Sequence, residues 1–306
     1  MLYPIQMKVT ENDYKQYLDS LDYDELSEKI MQFEKKDYPK YTDDQIAESF
    51  INTLTSNGKI IFNIFEGTIP ANGWYFFRIR RIKKELVAKE EWFREPPFNP
   101  CRPNRFDFLN KSILYVSLLN GAAVIETKIK KNEPYAETVF TNKRDIKLIL
   151  IGTINNPYWN EIAPSVLSKE QLRKALAIDN FICKMVTMKN NDEISAHRVA
   201  QIITKCILGK AEQYDGIMYP SVECKTPYDY NVAFFNGKET LKIEYALVYR
   251  NLLSNDMFGI WFKDGIGHYG IEDQYEVQRR QKKVIDFNKD AIKVDAEMLL
   301  KLSGSK

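Results

Sequence analysis

Near residue 60 the chain changes its pattern, from helical spacings to short, aromatic and β-branched stretches. Ahead of it, YKQYLDSLDYDELSEKIMQFEKK (14–36) sets Tyr14, Leu18, Leu21, Leu26, Ile30 and Phe33 at helical spacings. DDQIAESFINTLTSNG (43–58) predicts a second helix, with Asp43 near its start and Asn57-Gly58 at its end. Beyond it, GKIIFNIFEG and GWYFFRIRRI are short, aromatic, β-branched and punctuated by glycine, as strands are. KSILYVSLL predicts a strand, and NGAAVIETKIK a helix capped by Asn120. DIKLILIGTI (145–154) predicts another strand, and 168–186 and 194–209 predict helices. Asp215-Gly216 turns into the strand Ile217-Met218-Tyr219, where Pro220 removes a backbone donor and ends the strand or marks an edge. DYNVAFFNGKETLKIEYALVYR (229–250) reads as two strands hinged at Asn236-Gly237, a strong hairpin dipeptide. The tail from EDQYEVQRRQKKVIDF onward is charged, and helical or partly disordered.

Charge is uneven along this chain. The first 50 residues hold 12 acidic side chains and 6 lysines, whereas the 306-residue whole is +2, so the remainder is distinctly basic. The acidic helices are expected to pack on their own domain, with a cover for the basic remainder as the other reading. The overall balance calls for no nucleic acid, and clusters such as Arg279-Arg280 and Lys282-Lys283 read first as a solvated helix face. SILYVSLLNGAAVI (112–125) is too short to span a bilayer, and MLYPIQMKVTENDYK becomes polar too soon for a signal peptide. A cytoplasmic protein without membrane contact is the expectation. Cys101, Cys183, Cys206 and Cys224 have no C-x-x-C spacing and read as free thiols, some of them buried. With two histidines, no G-x-S-x-G, no P-loop and no G-x-G-x-x-G, neither a local zinc site, a serine hydrolase nor a common dinucleotide fold is indicated. Four prolines between 90 and 110 predict a rigid extended loop.

Five side chains are the candidates to carry chemistry. Arg78 lies among aromatics in WYFFRIRRI, Arg105 follows the proline-rich loop, and Tyr115 sits in ILYVSLL. Glu126 is a lone carboxylate in the small-residue patch NGAAVIET, and Ser221 follows the strand-ending proline. Each also has an ordinary explanation: an edge-strand arginine, a loop tie, a satisfied core tyrosine, a solvated helix face and strand punctuation.

Taken in order, FFRIRR, then PP…NRFDF…ILYVSLLNGAAVIE, then YDGIMYPS…NVAFF resembles the RES domain family, over roughly residues 70–236. The resemblance implies an α+β fold, with an ADP-ribosyltransferase-like split β core and flanking helices; helical N- and C-terminal extensions are expected outside the span it covers. The expected division is an acidic helical extension over 1–69, a catalytic core over 70–240 and a C-terminal extension over 241–306. It implies cleavage of the nicotinamide–ribose bond of NAD by hydrolysis or phosphorolysis, as in toxins paired with an Xre-type antitoxin. Transfer of ADP-ribose to a macromolecule, or a silent nucleotide-binding regulatory module, is the alternative. The implied catalytic residues are Glu126, Arg78 and Ser221, with Arg105, Tyr115 and Tyr219 binding substrate. NAD and phosphate are the expected small-molecule partners, with no metal, no cofactor beyond NAD, and nucleic acid only through a partner. Two positions depart from the family pattern: Asn104 where glycine is frequent, and Ile125 where alanine is. The chemistry fits these residues, because departing nicotinamide is already cationic and the developing ribosyl cation needs a nearby anion. Arginine forks suit the diphosphate.

Overall fold

The computed structural model describes residues 11–58, 60, 65–81, 93–96, 104–107, 112–130, 133–152, 167–189, 193–208, 213–224, 229–249 and 257–261. The prediction for the tail beyond 261 and most of the proline-rich loop lie outside these residues. By compactness the chain forms two units, one of 1–66, 98–111 and 149–213, the other of 67–97, 112–148 and 214–306. The units interleave along the sequence, an arrangement that composition along a chain does not register.

The described part of the first unit is helical. It contains α1 (Glu11–Ser20), α2 (Tyr23–Glu34), a 3-10 turn (Tyr38–Lys40) and α3 (Asp43–Leu54), then α5 (Lys169–Thr187) and α6 (Glu193–Leu208). The stretch 14–36, predicted as one helix, is broken: Asp22 takes extended backbone and accepts from the Glu25 N–H, so a new helix starts there. Capping boxes start α3 at Thr42/Gln45 and α5 at Ser168/Gln171, each satisfying two otherwise orphaned groups. Phe33, Phe50 and Phe181 meet ring to ring at 5.3–6.1 Å in the centre. The acidic helices find basic partners within this unit, Lys184 on Glu34 and Arg198 on Asp43. They pack against one another and against α5 and α6.

The nine strands among the described residues are β1 (Phe65–Ile69), β2 (Tyr75–Arg81), β3 (Leu114–Ser117), β4 (Tyr135–Asn142), β5 (Ile146–Leu150), β6 (Gly216–Pro220), β7 (Tyr230–Phe234), β8 (Leu241–Tyr249) and β9 (Met257–Trp261). They line up in the order β1-β5-β6-β7-β3-β2-β4-β8-β9. The fold is α+β. Its core is split where β2 and β3 share a single register pair, Phe77 opposite Ser117, while β2 runs its full length beside β4. Helix α4 (Asn120–Thr127) fills the interval between β3 and β4 in the chain. Gly216 opens β6 so close to β7 that a Cβ there would stand 2.5 Å from the Ala233 carbonyl oxygen.

Two local expectations are corrected. Asn120 is the first residue of α4 rather than its cap; Leu119 holds the cap position with no side-chain bond, and the Asn120 amide donates to Glu137 instead. Asn236-Gly237 makes no hairpin, because β7 and β8 are not neighbours. Asn236 has a φ of −137°, not the positive value a two-residue hairpin loop demands, and Gly237–Thr240 form a short helix α7. Strand β8 also continues the sheet past residue 240, beside β4. Pro220 does close β6, opposite Tyr230.

Candidate functional site

Register fixes which side chains share a face of the sheet, since directly opposed residues point the same way. Phe77, Ser117, Asn231 and Tyr219 oppose one another across β2, β3, β7 and β6. Tyr115, opposite Ala233, and Glu137, opposite Ile79, lie on that same face. Phe76 and Phe234 meet edge to face at 5.2 Å on the other.

Helix α4 is fixed at its end by β2. The Thr127 hydroxyl donates to the Ile79 carbonyl at 3.3 Å, and Arg81 donates to the carbonyls of Thr127 and Lys128 while pairing with Glu133. Lys128 then takes a left-handed backbone, φ 52°, and stops the helix. Glu126 lies in this last turn, at the negative end of the helix dipole and with no basic residue in the turn, so its charge needs donors from elsewhere.

The donors converge on one atom. Glu126 Oε1 accepts from the Ser221 hydroxyl at 2.5 Å, the Asn231 amide at 2.7 Å, the Val222 N–H at 2.8 Å and the Glu223 N–H at 3.3 Å. The Cys224 N–H donates to Ser221 Oγ at 2.9 Å, so three successive backbone N–H groups turn toward this pair of oxygens, a concave arrangement suited to negative charge. Ser117 Oγ donates to Asn231 Oδ1 at 2.6 Å. Among the described residues no bond reaches Glu126 Oε2, and Glu126 itself keeps partial exposure. An anionic acceptor of four hydrogen bonds is well stabilised in place, and charge-assisted bonds are the stronger kind.

The structure brings Glu126 and Ser221 into direct contact, with Tyr115 and buried Tyr219 on the same face. Ser221 has given its one O–H to Glu126, so what it offers a ligand is acceptor capacity. Its placement answers to Pro220, which ends the strand, and to the Ser221 N–H on the Asp229 carbonyl. Arg78 lies on the opposite face, with Phe76, and is not brought to Glu126. Its guanidinium donates to the Arg94 carbonyl at 2.8 Å, and burial, with Arg80 beside it, lowers its pKa to about 10, against the pull of Glu95. Arg105 belongs to the first unit, where it donates to the carbonyls of Val186 and Met188.

Sequence reasoning passed over Ser117 and Asn231 as site residues. The available signal was a polar side chain in each of two otherwise apolar strands, LYVS and YNVAF, since a buried polar group must find a partner. It also passed over Glu137, where burial pushes the carboxyl up to about 7 against the opposing pull of the Asn120 amide.

No helix among the described residues is long and apolar enough to cross a membrane. No curated protein matches the chain. The family model of the RES domain matches residues 76–248, more than half of the chain and a span that contains the whole Glu126 cluster. The ordered motifs, the split α+β core and this match agree, and the chain belongs to the RES domain family.

Proposed function

We propose that this protein cleaves the nicotinamide–ribose bond of NAD, passing the ADP-ribosyl group to water or to phosphate. The observation that carries the reading is Glu126: a carboxylate with one oxygen held by four donors and the other, among the described residues, unbonded. The C1′–N1 bond breaks with its electron pair going to nicotinamide, which leaves neutral, so no general acid is required. The ribosyl cation that develops is stabilised by the fixed anion of Glu126, whose donors need no rearrangement during the step. Water attack then gives ADP-ribose and a proton; phosphate attack gives the 1″-phosphate. Half-buried Tyr115 supplies aromatic surface for nicotinamide or ribose, and Tyr219 is buried in the same face.

Arg78 is the candidate for the diphosphate. It stands one residue beyond the only β2–β3 pair, and among the described residues its guanidinium makes one hydrogen bond. A desolvated arginine with unused donors suits an anion, but its face requires the substrate to pass the split between these strands. Arg78→Ala is expected to raise the Kd for NAD about tenfold, as loss of one charge-assisted bond implies. An unchanged Kd, by calorimetry, would move the diphosphate elsewhere. Pairing with an Xre-type antitoxin follows from the family resemblance and is tested by co-purification with such a helix-turn-helix partner.

The direct test is nicotinamide release by purified protein, with and without phosphate, beside Glu126→Ala. Release that depends on Glu126 supports the reading, and stimulation by phosphate selects phosphorolysis. Release at the parental rate from Glu126→Ala would remove this carboxylate from the chemistry.

A further inference from the structure

The carboxylate does not stand alone. Ser117 Oγ–H on β3 donates to Asn231 Oδ1, and Asn231 Nδ2 on β7 donates to Glu126 Oε1, a chain of 2.6 and 2.7 Å bonds across two paired strands. Both Ser117 and Asn231 are buried, at 4% and 5% exposure, so water does not readily replace either bond. An asparagine amide has an acceptor end and a donor end, and Glu126 can use only the donor end. The Ser117 hydroxyl fills the acceptor end, and so selects the amide orientation that turns Nδ2 toward Glu126.

We infer that Ser117 and Asn231 are positioning residues for the Glu126 carboxylate: they hold Oε1 so that Oε2 is the oxygen presented to the reacting ribose. Three independent features converge on it. All donors fall on Oε1, the pair is buried in strands rather than in a loop, and the bonds of both residues point into the protein. Ser117 donates inward to Asn231, and the Asn231 amide bridges Ser117 and Glu126. A carboxylate held by one oxygen retains its direction, which is what a developing charge on one carbon demands. The inference rests on the NAD-cleaving reading only for the identity of the reacting group.

The test pairs kinetics with a measurement that needs no turnover. Asn231→Leu keeps the approximate shape and removes the donor; kcat for nicotinamide release is expected to fall about 10- to 100-fold with KM changed less than about twofold. Asn231→Asp, which sets an acceptor against an acceptor, should lose at least as much, whereas a merely space-filling role would tolerate it better than Leu. Ser117→Ala should lower kcat about threefold to tenfold, and Ser117→Thr, which keeps the hydroxyl, should recover most of it. Parental kcat in both Asn231→Leu and Ser117→Ala would overturn the inference, as would losses confined to KM. The side-chain amide resonances of Asn231 give the second arm. In the parent protein they are expected to be shifted and slow to exchange; in Glu126→Ala and Ser117→Ala they move toward free-amide values. Amide signals indifferent to Glu126→Ala would sink the relay even if the parent protein proved unable to cleave NAD, and the same spectra report whether each variant folds. A shifted amide in a protein that releases no nicotinamide would preserve the relay and remove the substrate reading alone.

Discussion

The two ends of α4 hold their carboxylates in opposite ways. At its start, Asn120 gives one hydrogen bond to Glu137, a β4 side chain only 7% exposed, and the carboxyl is pushed up to about 7. At its end, Glu126 receives four bonds on one oxygen and keeps partial exposure. Both groups meet the same face of one sheet, Glu137 from β4 and Glu126 through its bond from Asn231. They differ in burial as well as in donors: burial raises the Glu137 carboxyl, whereas Glu126 keeps partial exposure and sits where donors reach it. One amide does not offset the burial of Glu137, whereas a turn of backbone N–H groups, a hydroxyl and an amide converge on Glu126.

The sharpest break of that contrast is Glu126→Gln. It keeps the shape and an acceptor for the four donors, so thermal stability should change little, while nicotinamide release should fall about 100-fold or more, by analogy with loss of a preorganised charge. Activity close to the parent's would mean that charge at this end of α4 is incidental. At the other end, the sign of the pH effect is the test. Glu137 ordinarily titrates at 4.5 and does so at about 7 when folded, so the folded protein binds the extra proton between those values. Stability is therefore full below about 4.5 and declines as pH rises through 7, by roughly 3 kcal/mol for this group. Glu137→Gln should flatten the Tm profile across that window and exceed the parent in Tm at pH 8. A parent profile that is flat or rises there would show Glu137 to be charged and paired. Arg81→Ala removes the donors to the Thr127 and Lys128 carbonyls and should cost about 1–2 kcal/mol in denaturant unfolding. If α4 is anchored there, kcat should fall along with stability; an unchanged kcat would put the anchoring in the turn after β6. The smallest effect belongs to Lys128→Ala, which breaks an ion pair with Glu223 whose lysine is 68% exposed. It should cost no more than about 1 kcal/mol and leave turnover within about twofold.

Much of this contrast could be read in advance, and the rest has definite physical reasons for being hidden. Long amphipathic helices declare themselves by period, and α3, α5 and α6 fall within a few residues of their predicted limits. Glu126 and Ser221 were visible because a lone carboxylate among small residues and a hydroxyl after a strand-ending proline are out of keeping with their surroundings. Strand β4 was invisible because all eight of its residues are buried, which erases the alternation that marks a half-buried strand. Asn236-Gly237 misled because dipeptide preference is local, whereas the partner of each strand is chosen across the sheet. Ser117 and Asn231 escaped because their meaning lies in register, and a sequence does not display which residue faces which.

Gly216 has a reach beyond its own turn. With any side chain barred by the Ala233 carbonyl, β6 can lie against β7 only if that position stays bare. A strand climbs about 3.3 Å per residue and a slip of one residue reverses every face. The glycine thus works as the zero mark of a ruler: five residues along it, some 16 Å by that rise, Ser221 meets Glu126 at the correct height and on the correct side.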